Sequence, residues 1–364
     1  MTDAPHTPAD SAAQAAASRF LLVSCQAGAE EGLFLTQQLM LPQLSRAAWR
    51  RGAVTFRIPE GMDVPDVAQL PFARSMAMSL GQVTGSSLNE LTTAAVASSA
   101  PDHLHVWQRA APSRRRSKEA DAAELLPSAT ELHATIAATL GCPPAVDGTD
   151  AAAGSIASRG EQVLSVVIDA PGRAWLGWHT ATSPSSCWPG GLYPGRLPED
   201  AVSRAWLKLD EALAVFEVPV RAGQRACELG AAPGGASQRL LSLGLTVVGI
   251  DPADIDPRVA EHPRFEHWQM RARDVRLRQL RGFDWLVTDM NIDPSSTMDA
   301  LERVATAPGT SLHGIIATLK LPQWKRAADL PAWLDRFRSW GFIPAARQLS
   351  SGGRELCVVA RRPS

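Results

Sequence analysis

The residues best suited to chemistry begin with the stretch Arg225–Asp251, RACELGAAPGGASQRLLSLGLTVVGID. An apolar run breaks at Gly230-Ala231-Ala232-Pro233-Gly234-Gly235, a helical pattern follows, and a β-branched run ends on Asp251. Glycines at the carboxyl end of a strand let the backbone approach a ligand and leave helix N–H groups pointing at it. An acidic residue closing the next strand can accept hydrogen bonds from ribose hydroxyls. The pattern predicts capture of a nucleoside-containing cofactor, with an ordinary tight turn as the alternative. Its G-x-x-x-G-G spacing is neither the dinucleotide fingerprint nor the P-loop.

Further along, Asp274, Asp289 and Lys320 each sit at the carboxyl end of a predicted strand. In an open α/β sheet the ligand crevice lies off the carboxyl ends of the strands. Aspartate there is also a common helix cap or turn residue. Five strand ends in succession carrying glycine or charge favour a site over separate caps. Lysine is rare in this chain, at Lys118, Lys208, Lys320 and Lys325 only, while arginine supplies the other cations. A lysine amine can give up its proton and act as a base, whereas arginine in practice cannot.

The elements that must position these groups read as strand, turn, helix, strand from residue 225. Further strands are predicted at Glu266–Met270, Asp284–Asp289 and Gly314–Leu319. Helices are predicted at 203–213, 298–304 and 330–340. The chain closes on strands Ala345–Leu349 and Glu355–Arg361 joined by Ser350-Ser351-Gly352-Gly353, a hairpin turn. The prediction is an α/β, Rossmann-like domain over 201–364, mostly parallel and ending in a β-hairpin.

Ahead of it, short strands and helices interleave from Phe20, which predicts an α+β region over 20–110. The tail 1–19 reads as disordered, 111–180 as an Ala/Gly-rich insert plus the remainder of an accessory domain, and 181–200 as a linker. His103 and His105 alternate on one strand face without further ligands at metal spacing, so a surface pair is expected and no metal site.

Composition narrows the functional classes. The formal net charge is −1, which argues against indiscriminate nucleic-acid binding. Arginines nevertheless crowd 264–281, and Arg114–Arg116 lie with Lys118, either of which could touch phosphates or be a solvated face. The amino terminus lacks the charge-then-apolar order of a signal peptide. No apolar run is long enough to predict a membrane span. The five scattered cysteines form no C-x-x-C pair, so reduced thiols in a cytoplasmic protein are expected.

Ser203-Arg204-Ala205-Trp206-Leu207-Lys208-Leu209-Asp210-Glu211, Leu229–Gly235, Thr288-Asp289-Met290, Leu319-Lys320-Leu321-Pro322 and Arg354-Glu355 together resemble the FtsJ-like ribose 2′-O-methyltransferases. The likeness is closest to the RlmM branch, which modifies a cytidine of large-subunit (23S) ribosomal RNA. It covers the chain from about residue 198 to the end. Gln26–Glu30 and Phe72-Ala73-Arg74 resemble more loosely that branch's THUMP-containing, RNA-binding portion. Members commonly carry cysteine where this chain has Ala232.

The resemblance implies S-adenosylmethionine as cofactor, ribosomal RNA as partner and a monomer. Gly230, Ala231, Ala232, Pro233, Gly234 and Gly235 would hold the methionine end. Asp251 would take the ribose hydroxyls, Asp274 the adenine, and Asp289 the region of the amino group and sulfonium. The family's Lys-Asp-Lys-Glu tetrad falls on Lys208, Asp289, Lys320 and Glu355, with Lys320 the expected general base, its proton affinity lowered by burial and the Lys208 cation. Asp289 would position, and Glu355 would orient Lys208 or the ribose. Other readings are a transfer RNA substrate, an NAD-dependent oxidoreductase and a non-catalytic RNA-binding protein.

Overall fold

A computed structural model describes residues 19–85, 87, 90, 92–93, 100–109, 128–146 and 151–363. The expected amino-terminal tail, the Arg114–Lys118 run and much of the Ala/Gly-rich insert lie outside the described residues. The chain divides into two compact units, Met1–Tyr193 and Pro194–Ser364.

The first unit carries one eight-stranded sheet of order β2-β3-β1-β4-β8-β7-β5-β6. Its strands are β1 (Phe20–Cys25), β2 (Ser45–Arg50), β3 (Ala53–Arg57), β4 (Ala73–Thr84), β5 (His103–Gln108), β6 (Ala152–Gly154), β7 (Gln162–Ala170) and β8 (Arg173–Thr180). Helices α1 (Glu30–Met40) and α2 (Ala129–Leu140) accompany them. Pairing is antiparallel apart from β5 with β7. The division expected at 110/111 does not separate two sheets, because β5 is hydrogen-bonded to β6 and β7 from beyond the insert. The core gathers Leu104, Val106, Leu164, Val166 and Ile168 against Ile136 of α2.

This pairing overturns the expected surface histidine pair. Strand β5 lies inside the sheet, and His103 and His105 are both buried. His103 Nδ1 meets Ser155 Oγ at 2.6 Å and its Nε2 meets Glu161 Oε2 at 2.7 Å. The His105 ring bonds to the Ser155 carbonyl at 2.9 Å. Alternation in sequence reports a pleat, not which of its faces water reaches.

The linker expected at 181–200 begins later than its composition suggests. Ala181 and Cys187 exchange backbone hydrogen bonds with Gly160, Glu161 and Ala157. Both are buried, and the first unit extends to Tyr193.

In the second unit a seven-stranded sheet runs β11-β10-β9-β12-β13-β15-β14. Its strands are β9 (Arg225–Leu229), β10 (Thr246–Ile250), β11 (Phe265–Trp268), β12 (Trp285–Thr288), β13 (Gly314–Lys320), β14 (Ile343–Arg347) and β15 (Glu355–Arg361). Strands β9 to β13 are parallel, while β15 enters antiparallel between β13 and β14. This is the mixed α/β sheet ending in a hairpin that the sequence predicts. Helices α3 (Ala205–Val215), α4 (Gly235–Ser242), α5 (Pro294–Ala305) and α6 (Leu330–Ser339) accompany it, with a single helical turn at Pro257–Ala260. Trp285, Leu240, Val247 and Ile316 are among the side chains of its core. The strand order reverses between β9 and β12, and the crevice at their carboxyl ends is the ligand position of such folds.

Candidate active site

Four charged groups converge beside that crevice. Lys208 comes from α3, Asp289 follows β12, Lys320 ends β13 and Glu355 opens β15. The antiparallel register sets Lys320 opposite Glu355. Lys320 Nζ donates to Asp289 Oδ1 and Glu355 Oε2, each at 2.6 Å. Lys208 Nζ lies 2.9 Å from Asp289 Oδ2 and 2.8 Å from Glu355 Oε1. Each lysine bridges both carboxylates and each carboxylate bridges both lysines, a closed and formally neutral square.

Largely buried charges survive because each is paired twice. Burial works against ionisation of Glu355, but Lys208 and Lys320 outweigh it and hold its carboxyl below the usual range. For Lys208 burial again opposes the charge, and Asp289 and Glu355 override it, raising the amine above its ordinary value.

A cavity of about 260 Å³ opens beside the square; Ser203, Arg204, Lys208, Glu228, Gly230–Pro233, Gly235 and Asp289 are among its lining. The turn after β9 needs its glycines. Gly230 has φ +77, and a Cβ there would meet Met290 Cγ at 2.5 Å. A Cβ on Gly235 would collide with Ser203 Oγ. Gly234, at φ +114, is the residue before α4 and packs toward Val259, not into the cavity lining. Asp251 Oδ2 accepts from the Ala232 N–H at 3.1 Å, and its Oδ1 accepts from the Ala253 N–H at 2.8 Å. The carboxylate at the end of β10 thus fixes the turn itself. Asp274 stands apart: it lies in a short 3-10 turn with its side chain exposed, 3.8 Å from Arg273 Nε.

Two residues that sequence reading missed shape the site. Glu228 sits between apolar Ala226, Cys227 and Leu229 in β9 and is buried, its Oε2 accepting from Ser237 Oγ at 2.6 Å. Burial pushes its carboxyl up to about 8. A lone acid in a buried parallel strand was the available signal. Glu211, also buried, accepts from the backbone N–H groups of Ser350 and Ser351 at 2.6 and 2.7 Å. Its partners lie far along the chain, so no local pattern could show it.

Residues 201–330 match the family model of FtsJ-like methyltransferases. The carboxyl-terminal unit carries an FtsJ-like methyltransferase domain. The chain is 35% identical over 190 residues to the ribosomal RNA large subunit methyltransferase M of Xylella fastidiosa strain 9a5c, covering 50% of this chain and 53% of that one. Its counterpart from Halorhodospira halophila is 35% identical over 183 residues, covering 49% and 52%. That from Thauera aminoaromatica is 36% identical over 176 residues, 46% of each chain. The chain thus spans about half the length of the curated relatives it matches. Within the FtsJ-like region, Lys208, Asp289 and Lys320 meet; Glu355 joins them from beyond residue 330, carried in by β15. Among the described residues no helix is long and apolar enough to cross a membrane.

Proposed function

We propose that this chain transfers a methyl group from S-adenosylmethionine to the ribose 2′-hydroxyl of a cytidine in large-subunit (23S) ribosomal RNA, with Lys320 as general base. The observation that carries the reading is the neutral Lys-Asp-Lys-Glu square at the rim of a glycine-lined cavity, at the point where the strand order reverses. The relatives' names support ribosomal RNA as the substrate.

The cavity fits the cofactor's chemistry. Gly230 and Gly235 lack the Cβ that would collide with Met290 and Ser203, so the turn packs tightly against both and presents its backbone to the cavity. Glu228 and Asp289 give its wall acidic groups suited to an ammonium and a sulfonium. Gly230–Pro233 and Gly235 would hold the methionine end, Asp251 the ribose and Asp274 the adenine. The bound cofactor supplies an already activated methyl group, so the protein's task is to align the hydroxyl and remove its proton.

Lys320 spends two N–H groups on Asp289 and Glu355, and an ammonium has a third. Loss of that third proton leaves a lone pair to accept the hydroxyl proton, while the two carboxylates keep the amine aimed. Lys208 holds those carboxylates from the other side and limits their pull on Lys320. Asp289 and Glu355 act as positioning groups.

The test is transfer from labelled S-adenosylmethionine to unmodified large-subunit ribosomal RNA, wild type beside Lys320→Ala. Label on a ribose 2′-oxygen, lost in the variant, is expected. Equal transfer by both proteins would remove Lys320 as the base. Cofactor binding without transfer to this RNA would point to another RNA.

A further inference from the structure

Strand β2 is an outer strand of the eight-stranded sheet, and all six of its residues are exposed. With the next residue it reads Ser45-Arg46-Ala47-Ala48-Trp49-Arg50-Arg51. An edge strand must avoid pairing with another chain, and charge alone achieves that. Trp49 does not serve that purpose. It remains 49% exposed, its indole edge-on to Phe34 with ring centroids 6.2 Å apart. The Arg46 guanidinium lies over the same Phe34 ring, 4.5 Å from its centroid.

A register shift between Arg46 and Ala48 puts Arg46 and Trp49 on one side of the strand, opposite Phe56 and Val54. Arg50 and the neighbouring Arg57 fall on the other side. None of Arg46, Arg50, Arg51 and Arg57 makes an ion pair among the described residues. A cleft of about 370 Å³, with Arg19, Ser45, Arg57 and Glu60 in its lining, opens beside the start of the strand. Arg19 pairs with Glu60 there at 3.0 Å. Among the described residues, the edge therefore carries guanidinium groups without carboxylate partners on both of its sides, Arg46 beside the half-exposed Trp49 on one and Arg50 with the neighbouring Arg57 on the other.

We propose that the β2 edge is a docking strip for single-stranded RNA, an inference that rests on the RNA substrate proposed above. Guanidinium groups match phosphate in charge and in hydrogen-bond geometry. An exposed indole offers a stacking surface that any unpaired base can use. The strip's positive charge selects a polyanion over an apolar partner, and Trp49 selects a strand whose bases are free to stack.

The experiment uses the full chain and a fluorescein-labelled single-stranded RNA of mixed sequence, followed by anisotropy across a salt series. Trp49→Ala is expected to weaken binding by about tenfold or more. Arg46→Ala with Arg50→Ala is expected to lower the slope of log affinity against log salt by about 1.4, at about 0.7 for each lost phosphate contact. Cofactor affinity should stay at wild-type values, and the variants, which lose contacts with Phe34, should remain folded with a small drop in thermal stability. Wild-type affinity and slope in both variants, in a protein that does transfer methyl to RNA, overturn the strip alone. A wild type that binds no RNA removes the substrate reading and the strip with it. Unchanged RNA affinity with altered self-association in sedimentation would make the edge a contact between copies, and also overturns the proposal.

Discussion

Glu211 Oε2 accepts the backbone N–H of Ser351 at 2.7 Å, tying α3 to the turn that delivers Glu355. Its other oxygen holds the N–H of Ser350, and Arg204 donates to the Ser351 carbonyl at 3.1 Å. Lys208, three residues before Glu211 on the same helix, reaches Glu355 itself. The helix thus grips the hairpin turn and the residue beyond it. Hydrogen bonds to a buried charge contribute about 1.5–3 kcal/mol each. Glu211→Ala is expected to cost about 3 kcal/mol of stability, read by denaturant titration, and to cut turnover more than cofactor affinity. Turnover and cofactor affinity falling in parallel would mean that Glu211 only supports the fold.

The square separates charge from chemistry at Lys320. Arginine keeps the positive charge and can still face Asp289 and Glu355, but it cannot give up a proton in practice. Lys320→Arg should bind S-adenosylmethionine within a few-fold of wild type while transfer falls by at least about a hundredfold, a typical contribution of acid–base catalysis. Removing the charge as well, in Lys320→Ala, leaves Asp289 and Glu355 sharing Lys208 alone and should also lower the melting temperature. Single-turnover transfer assays beside cofactor titrations distinguish the two effects. Substantial turnover by the arginine variant would rule out proton abstraction by Lys320.

Glu228 links the cavity to pH. Burial raises its folded value to about 8 from an ordinary 4.5. Because the folded value is the higher one, its stabilising contribution is complete below the ordinary value and is lost as pH climbs through the folded one. The wild type should lose stability relative to Glu228→Gln over that window, by up to about 1.4 kcal/mol per pH unit. A cationic ligand in the cavity favours the carboxylate, so cofactor binding near neutral pH should release a proton. Calorimetry in two buffers of different ionisation enthalpy would detect it. The same binding heat in both buffers would show that Glu228 is already ionised or too remote to respond.

Much of the carboxyl-terminal unit was legible from local pattern, because its signals are local. Gly230–Gly235 must break a strand into a turn, and the β-branched run before Asp251 must form the next strand. Lys208, Asp289, Lys320 and Glu355 were marked by lysine scarcity, strand-end position and family resemblance, and the fold brings all four together. Strand β14 shows the limit: expected at 345–349, it runs Ile343–Arg347 because Gln348 turns back to the Gly353 carbonyl and Glu211 holds the N–H groups of Ser350 and Ser351. The Glu211 contacts cross a long sequence separation, which no local pattern reports. The amino-terminal unit was harder for the same reason, since β4 pairs with both β1 and β8, and β5 with β7 across the insert. A sequence written as two blocks gave no sign of one shared sheet.

The buried histidines of that unit give it an acid response of its own. Burial, with His179 next, lowers His105 from 6.5 to about 3. Burial likewise depresses His133 and His179, and the His105 and His179 rings lie 6.3 Å apart. A histidine held neutral by the fold costs nothing above its ordinary value, but below it the unfolded chain takes up a proton that the folded chain refuses. Stability is therefore present above 6.5 and falls toward about 3, by up to about 1.4 kcal/mol per pH unit for each such ring. Urea titrations of wild type and His105→Gln between about pH 7 and about pH 5 should diverge, with the variant losing less. Because the glutamine amide can still donate to the Ser155 carbonyl, a difference in slope reports protonation and not a broken contact. Parallel curves would mean that water or a shifted strand solvates the ring well before the unit unfolds.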